Sequence, residues 1–272
     1  MKRGSLVVIT CCAILSCMMP AGPSLLLRHA FSQDAKSETP GITATEPVAL
    51  TSGSKVTFKV RGFELKGATE IRFVRPGEVS ESESGAVPIN VEIKETKDAG
   101  QAKGLDNKTV GNTQLVADLT LPADLPAGLW DYVVVTPAGE AKGKVRVLAA
   151  DSVIDEKEPN NGFREAQELL PGKFGRGSIQ SDKDVDVFAF PANAGQQLKI
   201  TVTSGGPLLM DAHLQCYDSR GQFLAAADDD QSRDPVATFK TQADGIVYIC
   251  ISSAHDIGGE WHSYLLAAEE VK

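Results

Sequence analysis

Short segments in which apolar and polar residues alternate recur along most of this chain, and they constrain its fold more than any other feature. In residues 55–61, Val56, Phe58 and Val60 alternate with lysine, threonine and arginine, which is the period of a strand with one buried and one wet face. Clusters of Gly, Pro, Asp and Asn separate such segments, and the one departure is a turn or short helix predicted at residues 163–169. The sequence therefore predicts an all-β protein.

The strand segments fall into two groups. The first group comprises residues 55–61, 70–74, 89–93, 115–121, 130–135 and 144–148. The second group comprises residues 184–190, 196–203, 213–217, 222–226, 236–240, 247–252 and 263–268. We predict a β-sandwich domain from each group, over residues 46–148 and 153–272, with a linker at residues 149–157. The charged, Gly-rich residues 94–112 are predicted to form a mobile loop within the first domain.

The amino terminus has the layout of an export signal, because Lys2 and Arg3 precede an apolar run at residues 6–19 that is too short to span a bilayer. Two ends fit this signal. Small residues at Ala30 and Ser32 predict a signal peptide over residues 1–32, whereas a lipobox-like run would place a lipid anchor on Cys17. An exported protein in the periplasm, at the cell surface or outside the cell is expected in either case.

Residues 33–45 are polar and lack periodicity, so they are predicted to be a tether. The whole chain has a net charge of −9. Removal of residues 1–32 takes away three basic residues and no acidic residue, leaving 24 basic against 36 acidic residues and a net charge of −12. Nucleic acid is therefore excluded as a partner class, because its recognition needs a basic surface.

Two cysteines follow the predicted signal, Cys216 and Cys250. An even pair in an oxidising compartment favours a disulfide. The alternation of the surrounding strands opposes one, because it turns Cys216 inward and Cys250 outward. The compartment thus favours a disulfide, whereas the strand pattern favours two free thiols.

The second group of strands resembles the bacterial pre-peptidase C-terminal domain. The resemblance covers about residues 153–270. It is carried by Glu-Lys-Glu-Pro-Asn-Asn at 156–161, Gly-Ser-Ile at 177–179, Asp-Val-Asp-Val-Phe-Ala-Phe at 184–190, Ala-Gly-Gln-Gln-Leu at 194–198 and Asp-Gly-Ile-Val-Tyr at 244–248. The family implies a jelly-roll-like sandwich carried beside secreted peptidases and similar to the collagen-binding domains of bacterial collagenases.

The first group of strands resembles an IPT/TIG-type immunoglobulin-like domain. The resemblance is carried by residues 53–58, 62–65 and 68–73, which read Gly-Ser-Lys-Val-Thr-Phe, Gly-Phe-Glu-Leu and Ala-Thr-Glu-Ile-Arg-Phe. It implies an immunoglobulin-like sandwich over residues 46–148.

The sequence offers little for catalysis. His213, His255 and His262 are the histidines after the predicted signal, and neither an H-E-x-x-H pattern nor a G-x-S-x-G elbow occurs. We therefore expect no enzymatic activity.

An acidic run at the head of the second domain predicts a calcium site. Glu156, Glu158 and Asn160 share one face of an extended segment, and a turn at Pro159 brings Asn161 to the same point. Asp184 and Asp186, which also alternate, close the site from a neighbouring strand. Calcium prefers such oxygen ligands, and the collagenase resemblance implies the same assignment. The alternative is a solvated acidic linker.

These features together predict an exported, non-catalytic adhesion or accessory module that binds an extracellular protein or polysaccharide. The alternative is an accessory or remnant partner of a secreted peptidase system that aids secretion or maturation. The sequence does not choose between them.

Overall fold

The computed structural model describes residues 39–75, 89–229 and 233–271, and it is built from four β-sheets. The predicted signal peptide lies outside these residues. The first sheet contains β1 (Gly41–Glu46), β3 (Lys55–Phe63), β6 (Thr113–Thr120) and β5 (Asn90–Asp98), in that spatial order. The second contains β2 (Ala49–Thr51), β8 (Gly139–Leu148), β7 (Gly128–Thr136) and β4 (Glu70–Val74).

Two larger sheets follow in the second half of the chain. One contains β10 (Gln167–Glu168), β12 (Val185–Ala192), β17 (Gly245–Ser253), β14 (Ala212–Tyr217) and β15 (Phe223–Ala227). The other contains β16 (Val236–Lys240), β13 (Gln197–Ser204), β18 (Ser263–Glu270), β11 (Phe174–Ser178) and β9 (Val153–Asp155). The all-β prediction is confirmed.

Each pair of sheets encloses its own apolar core, as strand alternation requires. In the first sandwich, Phe58 and Tyr132 meet edge to face with ring centroids 5.5 Å apart, and Trp130 is fully buried beside them. In the second, β17 directs Val247, Ile249 and Ile251 into the core. Burial of these large side chains is the main force that holds the sheets together.

The segments predicted as a tether and a linker belong to the folded structure. Residues 41–45, placed in the tether by their polarity, are part of β1, which pairs with β3 and buries Ala44. In the predicted linker, a 3₁₀-helix covers Ala150–Ser152, and β9 pairs in parallel with β11. The tether prediction was therefore wrong for residues 41–45, because strand pairing offsets the low hydrophobicity of the segment.

The predicted loop at residues 94–112 is also more ordered than its composition indicates. Strand β5 continues to Asp98, and a short helix, α1, covers Asn107–Val110. Arg61 anchors this segment, since its guanidinium donates hydrogen bonds to the carbonyl oxygens of Val110 and Gly100 and to Asn107 Oδ1. The mobile-loop prediction was wrong because this long-range anchor leaves no local sequence pattern. Within the described residues, no helix is long and apolar enough to cross a bilayer.

The two sandwiches pack against each other, and their described residues belong to one compact unit. One shared apolar cluster joins Ala44 and Val110 of the first sandwich to Leu209 and Trp261 of the second. Backbone contacts add to it, since the Thr45 N–H donates to the Gly205 carbonyl oxygen at 2.8 Å. The packing therefore continues from one sandwich into the other.

Cys216 and Cys250 are both buried free thiols. Cys216 belongs to the core of the second sandwich and lies directly opposite Ile249, whereas Cys250 lies opposite Gln215. Side chains at adjacent strand positions point to opposite faces, so the two sulfur atoms leave the sheet on different sides. Cys216 and Cys250 are therefore two free thiols, as the strand alternation had favoured.

Candidate metal centre

Four of the six predicted ligand residues meet at one edge of the second sandwich. One carboxylate oxygen from each of Glu156, Glu158 and Asp186 lies within 4.8 Å of the other two. Asn160 joins them, because one end of its side-chain amide lies 3.0 Å from Glu158 Oε2 and 3.1 Å from Asp186 Oδ1. The predicted convergence of the acidic segment with the acidic strand is therefore present in the fold.

Backbone pairing fixes the course of the acidic segment. The Glu156 N–H continues the pairing of β9 with a 2.8 Å hydrogen bond to the Arg176 carbonyl oxygen. Further along, the Val187 N–H donates to the Asn160 carbonyl oxygen at 2.9 Å. These two hydrogen bonds hold residues 156–160 at both ends. The side chains of this segment therefore lie next to β12, which carries Asp186.

The Asn160 side chain is completely buried between two carboxylates. If its amide nitrogen faces them, it donates to both. If its oxygen faces them, only acceptors converge, and a cation between them is required to offset their repulsion. In both orientations Asn160 bridges the segment to β12.

The two other predicted ligand residues form a neighbouring pair. The Asn161 amide lies 3.2 Å from Asp184 Oδ1 and 3.1 Å from the Val185 carbonyl oxygen. Asp184 also accepts a 2.7 Å hydrogen bond from the Gln180 N–H through Oδ2. Asp184 therefore stabilises the turn before β12, and the structure does not include it in the three-carboxylate cluster.

Tyr264 was not predicted and lies at the centre of the cluster. Its hydroxyl donates to Asp186 Oδ2 at 2.7 Å and lies 3.2 Å from Glu156 Oε2. Glu156 accepts further hydrogen bonds from the Ser178 N–H and the Gln180 side chain. No short motif marks this tyrosine, because 78 residues separate it from Asp186 along the chain.

Burial makes the negative charge of this cluster costly. It raises the pKa of Asp186 to about 8, and the nearby charge of Glu156 adds to the rise. Burial also raises the pKa of Glu156, although the Ser178 N–H hydrogen bond lowers it. A bound cation would reverse both effects, since it favours the ionised carboxylates.

The spacing of the carboxylates suits one calcium ion. Two oxygen ligands of the same ion, each at about 2.3–2.6 Å from it, can be at most about 5 Å apart. One carboxylate oxygen from each of Glu156, Glu158 and Asp186 lies within 4.8 Å of the other two, so the three oxygens satisfy this condition. Lys183 is exposed and makes no ion pair with any residue that the structure describes, so it leaves the cluster without a basic partner.

A second acidic group lies elsewhere in the same sandwich. One oxygen from each of Asp211, Asp228 and Asp229 lies within 4.8 Å of the others. Asp228 and Asp229 are exposed, and His255 Nδ1 lies 3.5 Å from Asp211 Oδ2. Such a group is also typical of a solvated turn, so it defines no site by itself.

Three histidines, His213, His255 and His262, lie among the described residues of the second sandwich. His262 is buried, and burial lowers its pKa. Within the described residues, no histidine side chain hydrogen-bonds to a serine, threonine or cysteine.

Part of the second sandwich matches a known family model. Residues 184–253 match the model of the bacterial pre-peptidase C-terminal domain. The match confirms that resemblance over β12 to β17, including Asp184 and Asp186. It fits a non-catalytic accessory module of the kind found in secreted proteins. The segment at 156–161 precedes the matched residues, and the IPT/TIG resemblance of the first sandwich stays a prediction.

One curated relative is a Deinococcus radiodurans protein named as a probable subtilase-type serine protease. It is 34% identical over 113 residues, which are 38% of this chain. The match spans 15% of the relative, so the protease activity in its name belongs to that longer protein.

Solved structures of low similarity include the pre-peptidase C-terminal domain of a Bacillus anthracis collagenase, with 15% identity and a TM-score of 0.34 over 42% of this chain and 100% of that one. The glucan-utilisation protein SGBP-B of Bacteroides ovatus has 10% identity and a TM-score of 0.24 over 81% of this chain and 71% of that one.

Proposed function

We propose that this protein is an exported, non-catalytic adhesion or accessory module that binds an extracellular protein or polysaccharide and is stabilised by calcium. The observation that carries the proposal is the match of residues 184–253 to the pre-peptidase C-terminal domain. Domains of this kind accompany secreted enzymes without supplying their chemistry. The lack of a paired nucleophile and base among the described residues is consistent with such a role.

The calcium part of the proposal rests on the four-residue cluster. Glu156, Glu158 and Asp186 bring three carboxylates together, and the Asn160 amide supplies a fourth oxygen when it faces them. Calcium takes about six to eight oxygen ligands, some of which can be water or bidentate carboxylate oxygens. Bound calcium would tie the segment to β12 and would remove the repulsion between the buried carboxylates.

A second candidate function is that of a partner in a secreted peptidase system. The 34% identity with part of a subtilase-type serine protease favours it. On this account the module would bind a peptidase or its precursor instead of a matrix. Both candidates require export and the absence of catalysis, and they differ in the bound partner.

Two assays of the purified protein test the proposal. We expect retention on an insoluble extracellular protein or polysaccharide in the presence of calcium, with heat-unfolded protein as the control. We also expect no cleavage of casein, gelatin or ester substrates above that control. Hydrolysis that disappears with one serine or histidine substitution would overturn the proposal, whereas selective binding to a secreted peptidase would favour the second candidate.

A further inference from the structure

A cluster of four aromatic rings lies on the outer surface of the β10-β12-β17-β14-β15 sheet. Tyr217 of β14 lies directly opposite Tyr248 of β17. Their strand neighbours Cys216 and Ile249 point into the core, so the two tyrosines point away from it. We call Phe163, Tyr217, Phe223 and Tyr248 the aromatic face.

The rings of the aromatic face are in direct contact. Phe163 stacks on Tyr248 with centroids 4.3 Å apart and an angle of 8° between the ring planes. Tyr217 contacts Phe163 at 5.5 Å and Phe223 at 6.0 Å. These contacts place the rings in one continuous surface and restrict their orientation.

Two of these rings are open to solvent. Phe163 is 39% exposed and Phe223 is 60% exposed. A single exposed apolar side chain is ordinary in a soluble protein, whereas contiguous exposed apolar surface marks a place where a partner binds. Because both exposed rings are phenylalanines, no ring hydroxyl contributes to their solvation.

A cleft of about 170 Å³, lined by both apolar and polar side chains, adjoins Phe223. Its walls include Asp218, Arg220, Gln222 and Gln242. The Asp218 carboxylate pairs with Arg220 at 3.1 Å and also accepts the Gln222 N–H at 2.8 Å. The Asp218 charge is therefore compensated by Arg220. Asp244, also in the cleft wall, accepts the Ala194 N–H at 2.7 Å through Oδ1. Amide and guanidinium groups of the cleft stay available for hydrogen bonds.

An uncharged, hydroxyl-rich partner matches this combination. The electron-rich face of an aromatic ring attracts the polarised C–H groups on the face of a sugar. Amide and guanidinium side chains form hydrogen bonds with the hydroxyl groups of the sugar. A polyanion would meet the net negative charge of the chain. Both carboxylates of the cleft already have partners, Asp218 in Arg220 and Asp244 in the Ala194 N–H, which weakens their attraction for a polycation. The cleft is smaller than pockets for drug-sized ligands and suits one sugar ring of a longer chain.

We propose that the aromatic face and its adjoining cleft bind an uncharged polysaccharide. This inference rests on the proposed function and deepens it, because it assigns the binding surface and selects polysaccharide over protein. Phe223 supplies the open stacking ring, and Phe163 extends the surface along the sheet. Arg220, Gln222 and Gln242 contact the sugar hydroxyls.

Retention on insoluble cellulose, xylan, chitin and starch tests the inference, with gelatin as a protein matrix and calcium present throughout. We expect wild type to bind at least one polysaccharide and Phe223→Ala to bind it roughly tenfold more weakly. Phe223→Tyr keeps the ring and should retain binding. Leu129→Ala removes an equally apolar side chain, 47% exposed, from the first sandwich and should bind as wild type does.

The outcomes separate this inference from the proposed function. Binding to gelatin alone, or polysaccharide binding that Phe223→Ala and Phe163→Ala leave unchanged, overturns the inference and leaves the proposed function standing. Failure of wild type to bind any matrix contradicts both. Circular dichroism and a thermal melt of each variant identify any loss of binding that is caused by unfolding.

Discussion

The Tyr264 hydroxyl donates a 2.7 Å hydrogen bond to Asp186 Oδ2, and both residues are completely buried. This contact connects β18 of one sheet to β12 of the other, across the interior of the second sandwich. It also gives the acidic cluster a donor that does not depend on a bound ion. The cluster is therefore part of the sandwich and not a surface addition to it.

Tyr264→Phe should lower the stability of the protein by about 1–3 kcal/mol in chelator, because the buried Asp186 carboxyl group loses its hydrogen bond with the tyrosine hydroxyl. Urea denaturation measures this change. Tyr248→Phe is the matched control, since no hydrogen bond of its hydroxyl is found within the described residues, and it should change stability by less than about 0.5 kcal/mol. Equal effects of the two substitutions would refute the role given to Tyr264.

Gly177→Ala should disrupt the cluster through sterics alone. A Cβ atom at this position would lie 1.9 Å from Glu156 Oε2 and 2.4 Å from the Tyr264 hydroxyl oxygen. Glu156 must move, so we expect the variant to lose most of its calcium affinity in isothermal titration. Gly162→Ala, whose Cβ would meet nothing within 4 Å, should bind as wild type does. Unchanged affinity in Gly177→Ala would exclude Glu156 as a ligand.

Glu46 should make stability depend on pH. Burial raises the pKa of this carboxyl, while the nearby Ser263 hydroxyl and the charges of Lys59 and Arg176 oppose the rise. Because the folded state holds the proton more tightly, the stability that Glu46 contributes is lost as pH rises from 4.5 through the folded-state pKa.

Glu46→Gln removes this titration. Relative to the variant, wild type should lose up to about 1.4 kcal/mol per pH unit across that window. Urea midpoints of both proteins between pH 4 and pH 7 give the comparison. Parallel curves for the two proteins would show that Glu46 titrates alike in the folded and unfolded states.

Arg61 should be essential to the order of residues 99–110. Arg61→Met leaves the Val110 and Gly100 carbonyl oxygens and Asn107 Oδ1 without their donor, which should cost about 3 kcal/mol or more. Hydrogen exchange in this segment should increase with the loss of stability. Arg146→Met, at an exposed arginine without an ion pair among the described residues, is the control. Similar stability of the two variants would contradict the anchoring role.

The sequence revealed those features that depend on local pattern. Alternation identified β3 and β17, and the acidic spacing identified the convergence of Glu158 with Asp186. The Tyr264 contact and the Arg61 anchor were missed, because each joins residues that only the fold brings together. The strand at residues 41–45 was missed for the same reason. It forms because it pairs with β3, and its own sequence is not hydrophobic enough to predict a strand.

Calcium binding at Glu156, Glu158, Asn160 and Asp186 is tested most directly by melting the protein in calcium and in chelator. At a free calcium concentration one hundred times the dissociation constant, binding stabilises the folded state by about 2.7 kcal/mol. For a chain of this size, we expect a rise of roughly 5–11 degrees in melting temperature. Glu158→Ala should lose most of this rise and keep its β circular-dichroism spectrum, whereas Glu165→Ala, at an exposed neighbouring glutamate, should retain it. The same melting temperature for wild type in calcium and in chelator would contradict the calcium site.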